Sequence, residues 1–247
     1  MSKAKVSIGF LHPGSYSSCF ADSLTELQFY DAGMYQRSMH PHGRMGKRCG
    51  TGGIVDGRNK LAQVFLDESE SEWLFMVDSD MSFEPDTVER LISAAHAIDR
   101  PVVGALAFAH KTDGRSPDGC GIRYLAAPTV YRWFEDDNKV GFAPWFEYPR
   151  GQLVQVGATG AACMIVHRLA LEAIREKYGD VWFDTIRHPK GSHFSEDLSF
   201  CIRVAGCGLP LFVHTGIKTG HDKGGAFLDE DYYDRQQAAK AAELERV

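Results

Sequence analysis

The chain has 247 residues, of which 44% are hydrophobic and 24% charged, with a formal net charge of −6. That is apolar material enough for one domain with a substantial core, and it excludes a disordered chain. The negative balance argues against a broad basic surface for nucleic acid, and no apolar run approaches the roughly 18 to 20 residues that cross a bilayer. The start Met1-Ser2-Lys3-Ala4-Lys5 does not read as a signal peptide, so a cytoplasmic location without membrane contact is expected.

Taken in order, residues 6–11 form a short apolar run that stops at His12-Pro13-Gly14, which predicts a buried first strand. The basic cluster at residues 40–48 is rich in Gly and lacks apolar periodicity, so it reads as a loop, either solvated or contacting an anion or acceptor. From Asp56 the apolar residues Leu61, Val64 and Phe65 fall at helical spacing, with Asp56 placed to accept from first-turn amides. Trp73-Leu74-Phe75-Met76-Val77 predicts a strand covered on both faces, ending abruptly in Asp78-Ser79-Asp80. A helix follows near Pro85, and residues 101–106 restore strand character. This β, α, β, α, β order suits a parallel sheet.

The aromatic-rich stretches 124–134 and 145–148 fit strands or loops over a cleft; Trp133, Phe134, Trp145, Phe146 and Tyr148 serve either the core or a sugar-binding platform. Strand runs at 153–156 and 163–166 precede a helix carrying Leu169, Ala173 and Ile174. Another helix carries Leu198, Cys201, Ile202 and Ala205 and ends near Gly206 or Gly208, before a final strand at 209–214. The polar, Ala-rich residues 229–247 read as a helical tail after a domain at 1–228. Six scattered cysteines without Cys-x-x-Cys spacing imply reduced thiols.

Chemistry concentrates at a few places. Two carboxylates, Asp78 and Asp80, at the end of a fully apolar strand call for a positive partner, and hard oxygen donors suit Mg²⁺ or Mn²⁺ holding a diphosphate. The same pair also fits a plain strand end. Asp56-Gly57-Arg58-Asn59 opens a helix, where free amides and a guanidinium receive phosphate or a base edge. Further along come Gly157-Ala158-Thr159-Gly160-Ala161-Ala162, Ser195-Glu196-Asp197 and Gly216-Ile217-Lys218-Thr219-Gly220-His221.

This order, over residues 5–222, resembles the GT-A glycosyltransferases, in particular inverting family-2-like enzymes and the short actinobacteriophage members with an early His-Pro-Gly. The resemblance implies an α/β, Rossmann-like single domain with a mostly parallel central sheet flanked by helices. It implies a nucleotide-diphosphate sugar donor, UDP-sugar favoured, with Mn²⁺ or Mg²⁺ held by Asp78, Asp80 and His221. Asp80 would touch the metal most directly, with Asp78 nearer the ribose or a metal-bound water. His12, Pro13, Asp56, Arg58, Asn59, Asp78, Ser79 and Gly160 would line the donor.

By the same resemblance Asp197 is the base that takes the acceptor hydroxyl's proton, with Glu196 sharing the task or binding the acceptor; both also suit a helix start. The usual Glu-Asp-x-Asp pattern stands here as Glu196-Asp197-Leu198-Ser199, which leaves retention of configuration open beside inversion. The acceptor would be a phage structural protein, a modified DNA base or a carbohydrate, in a host cytoplasm if the chain is phage-encoded. A nucleotidyltransferase is the alternative enzyme, disfavoured by His12-Pro13-Gly14-Ser15 where it would carry a basic Gly-rich loop. A catalytically inactive nucleotide-sugar or carbohydrate-binding module is the non-enzymatic alternative.

Overall fold

A computed structural model of the chain describes residues 5–34, 45–48, 53–115 and 122–244. The first half runs β1 (Val6–His12), α1 (Ser18–Met34), β2 (Met45–Arg48), α2 (Gly53–Glu68), β3 (Trp73–Val77), β4 (Met81–Phe83), α3 (Thr87–Ala94) and β5 (Val102–Leu106). The middle holds β6 (Phe108–Arg115), β7 (Ile122–Pro128), β8 (Val130–Glu135), β9 (Val140–Pro144), β10 (Leu153–Val156) and β11 (Ala158–Thr159). The rest is β12 (Cys163–His167), α4 (Arg168–Tyr178), β13 (Ile186–Arg187), β14 (His193–Phe194), α5 (Glu196–Gly206), β15 (Leu211–Asp222), β16 (Phe227–Leu228) and α6 (Glu230–Leu244).

The central sheet has the order β10-β15-β5-β12-β3-β1-β2. It is mixed, which corrects the expectation of a mostly parallel sheet. β1 runs parallel to β2 and β3, and β15 parallel to β5, whereas β12 is antiparallel to both β3 and β5, and β10 to β15. Cys163 pairs with Val77, so the chain enters β12 at the end where β3 leaves, and an antiparallel neighbour needs no crossover helix. Helices cover both faces. On one side α2, α4 and α5 bring Leu61, Phe65, Ile174 and Phe200 onto Leu74, Met76 and Met164; on the other, α1 and α3 bring Phe20, Leu27, Val88 and Leu91 onto Phe75, Val77 and Ile165. Alternation along β3 thus feeds two cores, which is why all five of its residues are apolar and buried.

Three local features position the site. A Cβ on Gly57 would stand 2.8 Å from Leu11 Cδ1, and one on Gly9 2.6 Å from Leu61 Cδ2; these two glycines let the start of α2 lie directly against β1. Next, β15 runs past the sheet, and after an irregularity between His214 and Lys218 it pairs antiparallel with β4, setting His221 opposite Met81. Finally, of the stretches left open as strand or loop, 124–134 falls in β7 and β8, which belong to the β6–β7 hairpin and the three-stranded β11-β8-β9 sheet, while 145–148 carries no strand. Helix α6 docks on that hairpin, where Gln236 Oε1 accepts from the Ala126 amide at 2.7 Å and Tyr233 packs on Phe108.

Two more expectations change. The basic cluster is not wholly loop, because the backbone of Met45–Arg48 pairs with β1; residues 40–44 lie outside the described residues. Asp56 does not begin its helix. α2 starts at Gly53 and carries Asp56, exposed, in its first turn.

Candidate functional site

A cleft of about 580 Å³ opens at the ends of β1 and β3, lined among others by Pro13, Tyr16, Asp78, Ser79, Asp80 and Lys223. The apolar run of β3 carries its two terminal carboxylates straight to this opening. They then part company. Asp78 turns toward α2 and Asp80 toward β15.

Asp78 meets Arg58, which is only 2% exposed. Its Nη2 donates to Asp78 Oδ1 at 2.8 Å, and its Nη1 donates to Glu196 Oε1 at 3.1 Å and to Asp197 Oδ1. The guanidinium from the start of α2 therefore ties the end of β3 to the first turn of α5. Burial alone would make Arg58 less basic, but the charges of Asp197, Asp78 and Glu196 outweigh it and raise its pKa. Asp197 moves the other way from an ordinary carboxylate, up to about 6: burial is the largest cause, Arg58 opposes it, and the charges of Asp78 and Glu196 add to it. One cation faces three carboxylates here, so the cluster carries a surplus of negative charge.

On the other side of the cleft Asp80 Oδ2 lies 3.1 Å from His221 Nε2 and 2.9 Å from Lys223 Nζ. Burial disfavours ionisation of Asp80, yet His221 and Lys223 together hold its carboxyl down at about 2. His221, 6% exposed, has Nδ1 at 2.8 Å from the Phe108 carbonyl, so Nδ1 donates there and Nε2 faces Asp80, donating to it when the ring is charged and offering a lone pair when it is neutral. In the charged state a proton closes the pair, and in the neutral state a metal ion could take that proton's place. A backbone carbonyl on the far nitrogen is the arrangement that orients metal-ligating histidines.

Among the described residues no group of three or more His, Cys, Asp or Glu is arranged to hold a metal. The expected set of Asp78, Asp80 and His221 is accordingly split, with Asp78 on Arg58. The remaining pair fits a cation that takes the rest of its shell from phosphate oxygens and water, as Mg²⁺ commonly does. The Lys223 ammonium on Asp80 Oδ2 marks the place as one that accepts positive charge.

The other expected residues divide. Pro13 and Ser79 line the cleft; His12 is partly exposed beside it, with its ring 6.1 Å from that of Tyr16. Asn59 is turned away: its Oδ1 accepts from the Trp182 and Phe183 amides and its Nδ2 donates to the Phe183 carbonyl. Gly160 is buried against Thr129, and a Cβ on Gly157 would meet the Trp133 amide nitrogen at 2.8 Å, so this segment is packed behind the acids, with the Ala162 carbonyl accepting from the Asp78 amide. Of the aromatic stretch, Tyr148 is buried, while Trp133 and Phe146 are exposed.

Lys223, Tyr16 and Tyr131 lie at or beside the site and had no place in the sequence reading. Lys223 had a visible signal, two positions after His221 and before Gly224-Gly225. Tyr131 did not, since only the fold brings it near Asp197, whose charge adds to burial in pushing its hydroxyl up to about 12.

No protein-family description matches the sequence, and no curated protein matches it. Solved structures do share its fold. A197 from STIV aligns with a TM-score of 0.53 at 15% identity over 92% of this chain and 91% of that one. GalNAc-T7, solved with UDP, GalNAc and Mn²⁺, aligns with a TM-score of 0.53 at 10% identity over 89% of this chain and 44% of that longer one. The chain is thus a mixed α/β protein whose fold is similar to that of a glycosyltransferase. No helix among the described residues is long and apolar enough to cross a membrane.

Proposed function

We propose that the chain is a glycosyltransferase of GT-A type that transfers a sugar from a nucleoside diphosphate, UDP favoured, to an acceptor hydroxyl. The observation that carries this reading is the Asp80–His221 pair, a carboxylate oxygen and an imidazole nitrogen 3.1 Å apart, with Asp80 on the wall of a cleft large enough for a nucleotide. Asp80 and His221 would hold Mn²⁺ or Mg²⁺ there, and such a cation neutralises a departing diphosphate. Pro13, Ser79 and Tyr16 face the donor's nucleoside portion, and Asp78, fixed by Arg58, faces its ribose.

Asp197 takes the proton of the acceptor hydroxyl as its oxygen bonds to the anomeric carbon and the bond from that carbon to the diphosphate breaks. With attack opposite the leaving group, configuration inverts. Arg58 keeps Asp197 ionised and aimed, and Glu196 shares the acceptor. The similarity in fold to GalNAc-T7, whose structure holds UDP and Mn²⁺, supports the reading by analogy.

The experiment is a panel of nucleotide sugars assayed for nucleoside diphosphate release with Mn²⁺, with Mg²⁺ and with EDTA. Metal-dependent release from one donor is the expected result. Donor binding without any release marks a binding module, and no binding of any donor removes the reading.

A further inference from the structure

A separate cavity of about 370 Å³ lies between the β6–β7 hairpin and α6, lined by Lys111, Thr112, Leu125, Phe146, Gln237 and Lys240 among others. Its composition departs from that of the molecule. The chain carries 33 acidic against 27 basic residues, yet among the described residues the lining holds two lysines and no carboxylate. Lys111 Nζ lies 5.3 Å over the ring of Tyr131; a cation resting on an aromatic face keeps its capacity for an anion. Burial lowers the Lys111 pKa from its ordinary value, a direction that a bound anion reverses. Phe146, 49% exposed, offers an apolar face, and Thr112 and Gln237 offer hydrogen bonds.

Tyr131 connects this cavity to the candidate base. Lys111 covers its ring, its cross-strand partner Pro144 lines the cavity, and the charge of Asp197 acts on its hydroxyl. We propose that the cavity is the acceptor subsite and that the acceptor is a small sugar carrying a phosphate or a carboxylate. This rests on the transferase reading for the word acceptor; the anion site itself does not depend on it. The anion sits on Lys111, the sugar ring lies against Phe146, and the reacting hydroxyl is on the Tyr131 side, toward Asp197.

The test is calorimetric titration of the full chain, in EDTA and without donor, using glucose 6-phosphate, glucuronate and glucose as probes. Saturable binding of one anion, at least tenfold tighter than glucose, is expected, and whichever anion binds identifies the group as phosphate or carboxylate. Lys111→Glu and Lys111→Met should each weaken it at least tenfold, while Lys5→Glu, the same charge change on an exposed lysine, stays within twofold. An unchanged unfolding curve for Lys111→Met shows that the loss is local. No saturable binding of either anion, equal binding of glucose, or equal losses in Lys5→Glu and Lys111→Glu overturns the proposal.

With the donor found by the release assay, the anion that binds should accelerate nucleoside diphosphate release, half-maximally at tenfold higher concentration in Lys111→Met. A saturating anion that leaves release unchanged or slows it overturns the acceptor assignment. Because the titration contains neither metal nor donor, its failure leaves the donor cleft standing, and failure of donor release leaves the anion site standing.

Discussion

Arg58 and Asp197 form an ion pair across 139 positions of sequence, with the guanidinium side chain only 3% exposed. That contact fastens the start of α2 to the start of α5, and the same guanidinium holds Asp78 at 2.8 Å. Removing it leaves three carboxylates facing one another. Arg58→Met should destabilise the fold by about 3–5 kcal/mol, the usual cost of stripping one partner from a buried charge group. Arg58→Lys should recover less than half of this, because an ammonium cannot reproduce the planar fork. Denaturant unfolding measures both, and a loss under about 1 kcal/mol for Arg58→Met contradicts the arrangement.

The raised pKa of Asp197, about 6, sets a pH dependence. As a base it must be ionised, so turnover should rise about tenfold per pH unit up to about 6 and level off above. The folded protein also binds this proton more tightly than the unfolded chain, so the group's contribution to stability is full below about 4 and is lost as pH rises through about 6. Asp197→Asn should keep donor binding and lose transfer. A profile flat from pH 5 to 8 in the wild type argues that another group is the base.

Lys223 occupies the Asp80 oxygen that a metal would need. An exposed pair of this kind contributes up to about 1 kcal/mol, so Lys223→Ala should bind Mn²⁺ up to about fivefold more tightly in the absence of nucleotide. Nucleoside diphosphate should bind that variant more weakly, since the ammonium is then missing from the cleft. Unchanged affinity for both would place Lys223 outside the site.

Two glycines give opposite outcomes for the same substitution. A Cβ at Gly157 meets the Trp133 backbone at 2.8 Å, and backbone cannot swing aside, so Gly157→Ala should cost about 1–3 kcal/mol. Gly33, in α1, has nothing within 4 Å of its added Cβ, and Gly33→Ala should stabilise by up to about 1 kcal/mol. Thermal unfolding of the two variants checks the packing of the segment behind the acids.

What the sequence disclosed followed from local pattern. Residues 73–77 announce a strand buried on both faces because every one of them is apolar, and the acids at its end follow from the same run. The direction of β12 is another matter: its five buried residues read alike whether it runs with β3 or against it, so the mixed sheet was not legible. Helix α1 was missed although Phe20, Leu24 and Leu27 stand at i, i+4 and i+7; the exposed Phe29 blurs that stripe. The split of Asp78 from Asp80 depends on Arg58 and on the pairing of β15 with the three-residue β4. Both are long-range facts that no window of sequence contains.

The most direct test of the account is electron paramagnetic resonance of Mn²⁺ added to the protein with UDP. Measured against Mn²⁺ with UDP and no protein, since UDP itself binds the ion, the free Mn²⁺ signal should fall further with the wild type, and Asp80→Ala and His221→Ala should each restore at least nine-tenths of that further loss, while Asp197→Asn, outside the metal pair, should bind as the wild type does. A free-ion signal that falls equally in all four proteins, or in none, would contradict a metal and nucleotide site at Asp80 and His221.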